Sequence, residues 1–227
     1  MLGKPWIQLK KQRDLVLLGE THGALVNPKI IEMFVKKLEI NIVIIELEKK
    51  WNVFFPLLIK NENQFLQFIQ KEKWICESGV IGKEHIILFQ KLMQHGIKIL
   101  PIKIENKNWN VAEQKTVKYI TSILKKYPNK NVLGVIGKLH ARKKPFSLKE
   151  NGKKRKYIPL GSILHNASIH VRIRYQKGTI YNFGSMTIKD DGVKNREGLF
   201  VSRSPFFDYD FCIRTTRPIH IINTTTN

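Results

Sequence analysis

Two stretches of this chain end a short apolar run in a glycine, two intervening residues and a histidine. Leu15–Leu18 runs into Gly19-Glu20-Thr21-His22, and Val132–Ile136 runs into Gly137-Lys138-Leu139-His140. A third apolar run, Ile42–Ile45, closes on Glu46-Leu47-Glu48. Imidazole nitrogen and carboxylate oxygen together can ligate a divalent transition metal, which polarises a carbonyl or delivers bound hydroxide. Without a metal, the same groups supply a general base and a general acid, with carboxylates fixing the imidazole tautomer. Glycine lets the backbone turn sharply and approach a ligand closely. If β geometry extends to the end of the third run, Glu46 and Glu48 point to one side and Leu47 to the other. The catalytic candidates are therefore Glu20, His22, Glu46 and His140, and the metal candidates are His22, Glu46 and His140. Gly19, Gly137, Glu48 and Arg142 are secondary candidates around them.

For these residues to meet, the runs must be neighbouring strands. The runs Leu15–Leu18, Ile42–Ile45, Ile97–Ile102 and Val132–Ile136 are apolar segments, the third broken by Lys98, of the kind buried on both faces of a parallel sheet. Between them lie helical patterns. NPKIIEMFVKKLE starts with Asn27 as a cap and Pro28 in the first turn, and puts Ile31, Phe34, Val35 and Leu38 on one face. NENQFLQFIQKEKW and GKEHIILFQKLMQHG give two further helices, the second stopped at Gly96 and carrying His85 on its apolar face. VAEQKTVKYITSILKKYP aligns Val117, Ile120, Leu124 and Tyr127 ahead of Pro128. From about residue 157 the pattern turns β-rich: HVRIRYQKGTIYNFG predicts a hairpin around Lys177-Gly178, and DYDFCIRTTRPIHIIN a strand ended or edged by Pro218. The expectation is a single α/β domain over 1–227, with a mainly parallel central sheet flanked by helices and a β-rich C-terminal part extending that sheet. In such sheets ligands bind beyond the carboxyl ends of the strands, which is where both histidines and Glu46 fall.

Bulk properties narrow the class. Cys76 and Cys212 are far apart and form no metal-type spacing, so neither a disulfide framework nor a cysteine zinc site is indicated. No run approaches the roughly 18 apolar residues of a membrane span, and the N-terminus lacks the apolar core of a secretory signal, so a cytoplasmic location is expected. Forty Lys and Arg against 18 Asp and Glu give a net charge of +22. That balance favours polyanions. The lysines are dispersed, however, and the densest basic segment runs from Lys138 to Lys156 around the second histidine motif.

Paired GxxH motifs on an α/β scaffold, with an acid after the second strand, resemble the TIKI/TraB superfamily, which includes ChaN-type haem-binding and erythromycin esterase-like proteins. LVLLGETHG is similar to the GExH opening of ChaN-like sequences and to the opening block of esterase-like ones. NIVIIELE is similar to their strand ending in Glu, and GVIGKLHAR to their second glycine–histidine block. PLGSIL, YNFG and FDYDFCIRTTRPIHII are similar to the esterase-like tail. The resemblance implies that Gly19, His22, Gly137, His140 and Glu46 are the motif positions, with Glu20 as the glutamate of the GExH form. It implies metal-dependent peptide cleavage in TIKI-like members, lactone hydrolysis with a histidine base in esterase-like ones, and haem binding in ChaN-like ones. The leading expectation is a hydrolase of ester or peptide bonds in a small-molecule or peptide substrate, with or without a divalent metal. The alternatives are a non-catalytic haem- or metal-binding protein and a polyanion binder using the 138–156 segment.

Overall fold

The computed structural model describes residues 4–12, 15–150, 152–193 and 196–222. The ends of the 1–227 domain, the first residues of the N-terminal segment, Asn151 in the basic stretch and Asn223 lie outside them.

After α1 (Lys4–Gln12), each of the four apolar runs forms a strand: β1 (Leu15–Glu20), β2 (Ile42–Glu48), β3 (Lys98–Lys103) and β4 (Val132–Gly137). Every residue of β1 and β4 is buried, as expected of inner parallel strands covered on both faces. Helix α2 (Asn27–Leu38) joins β1 to β2. The short helices α3 (Leu57–Lys60), α4 (Glu62–Gln70) and α5 (Lys73–Ser78), followed by α6 (Lys83–Gln94), join β2 to β3. Helix α7 (Trp109–Lys126) joins β3 to β4. Beyond β4 come a hairpin of β5 (Phe146–Glu150) and β6 (Lys153–Tyr157), helix α8 (Leu160–Leu164), and strands β7 (Ile169–Tyr181), β8 (Ser185–Lys189), β9 (Gly198–Val201) and β10 (Tyr209–Thr216).

The main sheet runs β3-β2-β4-β1-β7-β10-β9, with β8 paired to the far part of β7. Pairings from β3 through to β10 are parallel, whereas β8 and β9 pair antiparallel. The β-rich C-terminal part thus extends the same sheet through β7 beside β1. One face is closed by Trp6, Phe34, Phe55, Phe65 and Phe89 of α1 to α6 and their connections, packed on Val16, Leu18, Val43 and Ile45. The other is closed by Val117, Ile120 and Ile123 of α7 and by Leu160 and Leu164 of α8, packed on Leu15, Leu17, Ile42 and Ile44. Each strand therefore buries alternate side chains in both layers, which is why the runs are continuous rather than alternating. Among the described residues no helix is long and apolar enough to cross a membrane.

Three local expectations change. Asn27 does not cap α2; Val26 holds that position. The Asn27 amide instead donates to the Thr21 carbonyl at 2.9 Å and accepts from the Tyr175 hydroxyl, so its polar atoms brace the loop after β1. NENQFLQFIQKEKW is broken into α4 and α5 near Lys71-Glu72. Lys177-Gly178 is not a hairpin turn: β7 passes straight through it, and the chain reverses at Asn182–Gly184 before β8. The glycine at 178 answers another need, since its φ is +146° and a Cβ there would lie 2.3 Å from the Thr216 carbonyl oxygen of β10.

Candidate active site

Strand order brings the candidates together. β4 lies between β1 and β2, so the ends of three adjacent strands deliver Glu20, Glu46 and Gly137 to one rim. After β1 the chain turns through His22, and after β4 a tight turn forms in which the Gly137 carbonyl accepts from the His140 amide at 3.0 Å. That turn folds the His140 ring back over the strand end.

The two motifs are not structural copies. Glu20 is in register with Gly137, and Gly19 with Ile136, so the second glycine sits one step further along the rim than the first. Gly19 is packed under the turn, where an added Cβ would fall 2.9 Å from the Ala141 Cβ. A Cβ at Gly137 would fall 3.0 Å from His22 Nε2, 3.2 Å from Glu46 Oε2 and 3.4 Å from His140 Cδ2. Gly137 is therefore the gap through which the side chains of β1 and β2 meet across β4.

What meets there is a chain of alternating acids and imidazoles. Glu20 Oε1 lies 3.1 Å from His22 Nδ1, and His22 Nε2 lies 3.7 Å from Glu46 Oε2. Glu46 Oε1 lies 3.3 Å from His140 Nε2, and His140 Nδ1 lies 2.8 Å from Glu113 Oε1. Its middle and one end are tied to backbone: the Gly137 amide donates to Glu46 Oε2 at 2.6 Å, and the Leu160 amide donates to Glu113 Oε2 at 2.6 Å. The Trp109 ring stacks on His140, with centroids 5.1 Å apart and planes inclined by 27°.

Charge follows from these contacts. Burial disfavours the His140 cation, but the Glu46 charge and the Glu113 hydrogen bond outweigh it and raise its pKa to about 9. His22 is raised as well: burial opposes its charge, while the Glu20 hydrogen bond and the Glu46 charge favour it. Burial pushes against ionisation of Glu46, yet the two imidazoles and the Gly137 amide bring its carboxyl below the usual range. Glu20 is raised, chiefly by burial, and its Oε2 is buried without a hydrogen-bond partner. At neutral pH the cluster holds an ionised Glu46 beside a protonated His140.

Glu113 was not among the sequence candidates. It lies on α7 four residues before Val117, at the head of the stripe Val117, Ile120, Leu124 and Tyr127, and only 5% of its surface is exposed. An acid continuing an apolar helix stripe was the available signal. Glu48 faces elsewhere: the pairing register of β2 with β3 shifts between Ile45 and Glu48, and the Glu48 carboxylate pairs with Lys50 at 3.0 Å. Arg142 lies over the rings of Phe146 and Phe206, at 4.7 and 5.0 Å. His85 is a buried structural histidine whose Nδ1 accepts from the Gly82 amide at 3.2 Å. Burial and the His22 charge push its pKa down to about 3.

A cavity of about 640 Å³ opens beside His140, lined by Glu46, Lys103, Glu105, Trp109 and Glu113. On the other side of Trp109, a second of about 850 Å³ is walled by the β5–β6 hairpin through Phe146, Arg155 and Tyr157, and also reaches His140. For a divalent metal, the donor arrangement fits poorly. The Nδ1 atoms of His22 and His140 are turned to Glu20 and Glu113, their Nε2 atoms face Glu46 at 3.7 and 3.3 Å, and Glu46 Oε2 already accepts from Gly137. Among the described residues, no group of three or more His, Cys, Asp or Glu side chains is spaced to hold a metal ion.

The architecture defines a class of α/β fold already seen in solved structures. The chain is similar to a succinoglycan biosynthesis protein, with a TM-score of 0.70 at 11% identity, covering 96% of this chain and 92% of that one. It is similar to a mutant of the erythromycin esterase EreC in its open conformation, with a TM-score of 0.69 at 8% identity, covering 95% and 94%. A third similar structure is a protein from Bacillus cereus, with a TM-score of 0.60 at 10% identity, covering 96% and 92%. No protein-family model and no curated protein matches the sequence. At these identities the likeness establishes a shared fold: this chain has the α/β fold of these structures.

Proposed function

We propose that this protein is a hydrolase of ester or peptide bonds whose acid–base groups are His22, Glu46 and His140, held by Glu20 and Glu113. The observation carrying this reading is the Glu46 carboxylate set between the Nε2 edges of two histidines that are more than a hundred residues apart in sequence. The sharing of a fold with an erythromycin esterase supports it.

In this reading His140 enters the reaction protonated, because its pKa of about 9 keeps it charged at neutral pH. It faces the developing negative charge on the substrate carbonyl and gives its Nε2 proton to the leaving oxygen or nitrogen. His22, in its neutral form, takes a proton from the attacking water as the water oxygen bonds to the carbonyl carbon. Glu20 holds the His22 ring through Nδ1, and ionised Glu46 stabilises the imidazolium that forms. No step is routed through a metal, since among the described residues no group of three or more His, Cys, Asp or Glu side chains is spaced to hold one.

The test is hydrolysis of ester and peptide panels, in chelator and with divalent ions added, by wild type and by His22→Ala and Glu46→Gln. Activity in chelator that is lost in both variants, with their circular dichroism unchanged, supports the reading. A wild type inactive under every condition, or variants as active as wild type, overturns it. Activity that requires added metal overturns the metal-free route.

A further inference from the structure

Beside the His–Glu cluster lies a cleft that the proposed chemistry does not use. It has a volume of about 420 Å³ and is lined by Thr21, Lys138, Arg142, Arg172, Arg174 and Asp190 among others. Five cations, Lys189 among them, therefore line one space, against Asp190 at its wall and Asp210 on β10.

The guanidinium groups are fixed rather than waving in solvent. Arg172 donates to Asp210 through Nε at 3.0 Å and Nη2 at 3.1 Å, and its guanidinium lies 4.9 Å from the Phe207 ring centre. Arg174 donates to Asp190 through Nε at 2.8 Å and Nη2 at 2.6 Å, and to Asp210 through Nη1 at 3.3 Å. Arg142 lies over Phe146 and Phe206. Consecutive phenylalanines, Phe206 and Phe207, thus each hold one guanidinium. Among the described residues, neither Lys138 nor Arg142 has a carboxylate ion pair, and both are crowded by like charge. The Lys138 and Arg142 pKa values are lowered by partial desolvation and by the Arg172 cation, and that of Lys138 also by Arg142.

The cleft is joined to the candidate active site by the same two loops. Thr21 lies between Glu20 and His22, and Lys138 follows Gly137 and donates its amide to the Glu20 carbonyl at 2.8 Å. We propose that this cleft binds the phosphoryl group of a phosphomonoester, and so seats a phosphorylated small-molecule substrate against the His22 and His140 site. Lys138 and Arg142, which have no ion pair among the described residues, face this space beside two guanidinium groups whose positions are fixed by Asp190 and Asp210, and together they suit a tetrahedral dianion better than a single carboxylate. The binding claim stands on the cleft alone. The claim that the phosphomonoester is a substrate rests on the hydrolase reading.

The experiment is calorimetric titration at constant ionic strength with two probes, inorganic phosphate and phenyl phosphate. It uses wild type, Lys138→Ala, Lys138→Arg, Arg142→Gln, Lys153→Gln and His22→Ala. Saturable binding of phenyl phosphate is expected, weakened about tenfold or more in Lys138→Ala and Arg142→Gln. It should be largely kept in Lys138→Arg and unchanged in His22→Ala. Lys153→Gln, in the exposed β6 strand, should also leave it unchanged. No saturable binding, or affinity unaffected by both cleft substitutions, overturns the proposal. Equal weakening by Lys153→Gln also overturns it, since it would show a diffuse basic surface of the kind that binds nucleic acid. Binding of free phosphate without the ester overturns the substrate assignment. If phenyl phosphate binds as expected but no ester or peptide is hydrolysed, the hydrolase reading fails while the phosphate site stands.

Discussion

Loss of the His140 charge should be visible in folding stability. An unfolded histidine titrates near 6.5, and His140 in the folded protein near 9, because Glu46 and Glu113 outweigh its burial. Between those values the folded chain holds a proton that the unfolded chain has released, so stability falls as pH rises. The contribution is fully present below about 6.5 and gone above about 9. The difference in affinity for that proton corresponds to about 3 kcal/mol. The overall charge of +22 acts with the opposite sign, since deprotonating lysines at high pH relieves self-repulsion. The comparison must therefore be made against a variant that shares that background. Urea denaturation of wild type and His140→Gln at about pH 6 and about pH 10 isolates the effect. The loss between the two pH values should be about 3 kcal/mol larger in wild type than in the variant. Equal pH dependence in both proteins would refute the claim that His140 is held as a cation by its two carboxylates.

Other outcomes follow from the same contacts. Gly137→Ala should cost about 1–3 kcal/mol of stability, since the new methyl crowds side-chain ends rather than backbone, yet abolish hydrolysis by parting His22 from Glu46; denaturation and panel assays check both. Glu113→Gln should lower the His140 pKa from about 9, read by NMR titration, because a charge-assisted bond at 2.8 Å becomes a neutral one. Gly178→Val should destabilise by more than about 2 kcal/mol in thermal melts, because its φ of +146° and the Thr216 carbonyl exclude a branched side chain.

The sheet was legible because Leu15–Leu18, Ile42–Ile45 and Val132–Ile136 are apolar without interruption over strand-like lengths, which suits strands covered on both faces. The rim residues followed from the rule that such strands present their carboxyl ends to ligands. Their pairing in space depended on β4 inserting between β1 and β2, which local sequence does not encode. Glu113 was hidden because its role is set by a tertiary contact between α7 and the turn after β4. Glu48 was misplaced relative to Glu46 because simple alternation cannot anticipate the register shift after Ile45. The Lys177-Gly178 pair has turn chemistry but serves a close approach of β10, a need that arises only once the C-terminal strand has docked.

The central claim is that neutral His22 and protonated His140 act on opposite sides of one bond cleavage, and the pH–rate profile tests it most directly. With the most reactive ester of the panel, in chelator, kcat/KM should rise through a limb above the ordinary histidine value of about 6.5 and fall through a second near 9. Glu113→Gln should move the upper limb to lower pH while leaving the lower limb in place. A profile that keeps rising above pH 9, or an upper limb that ignores Glu113→Gln, would contradict the account.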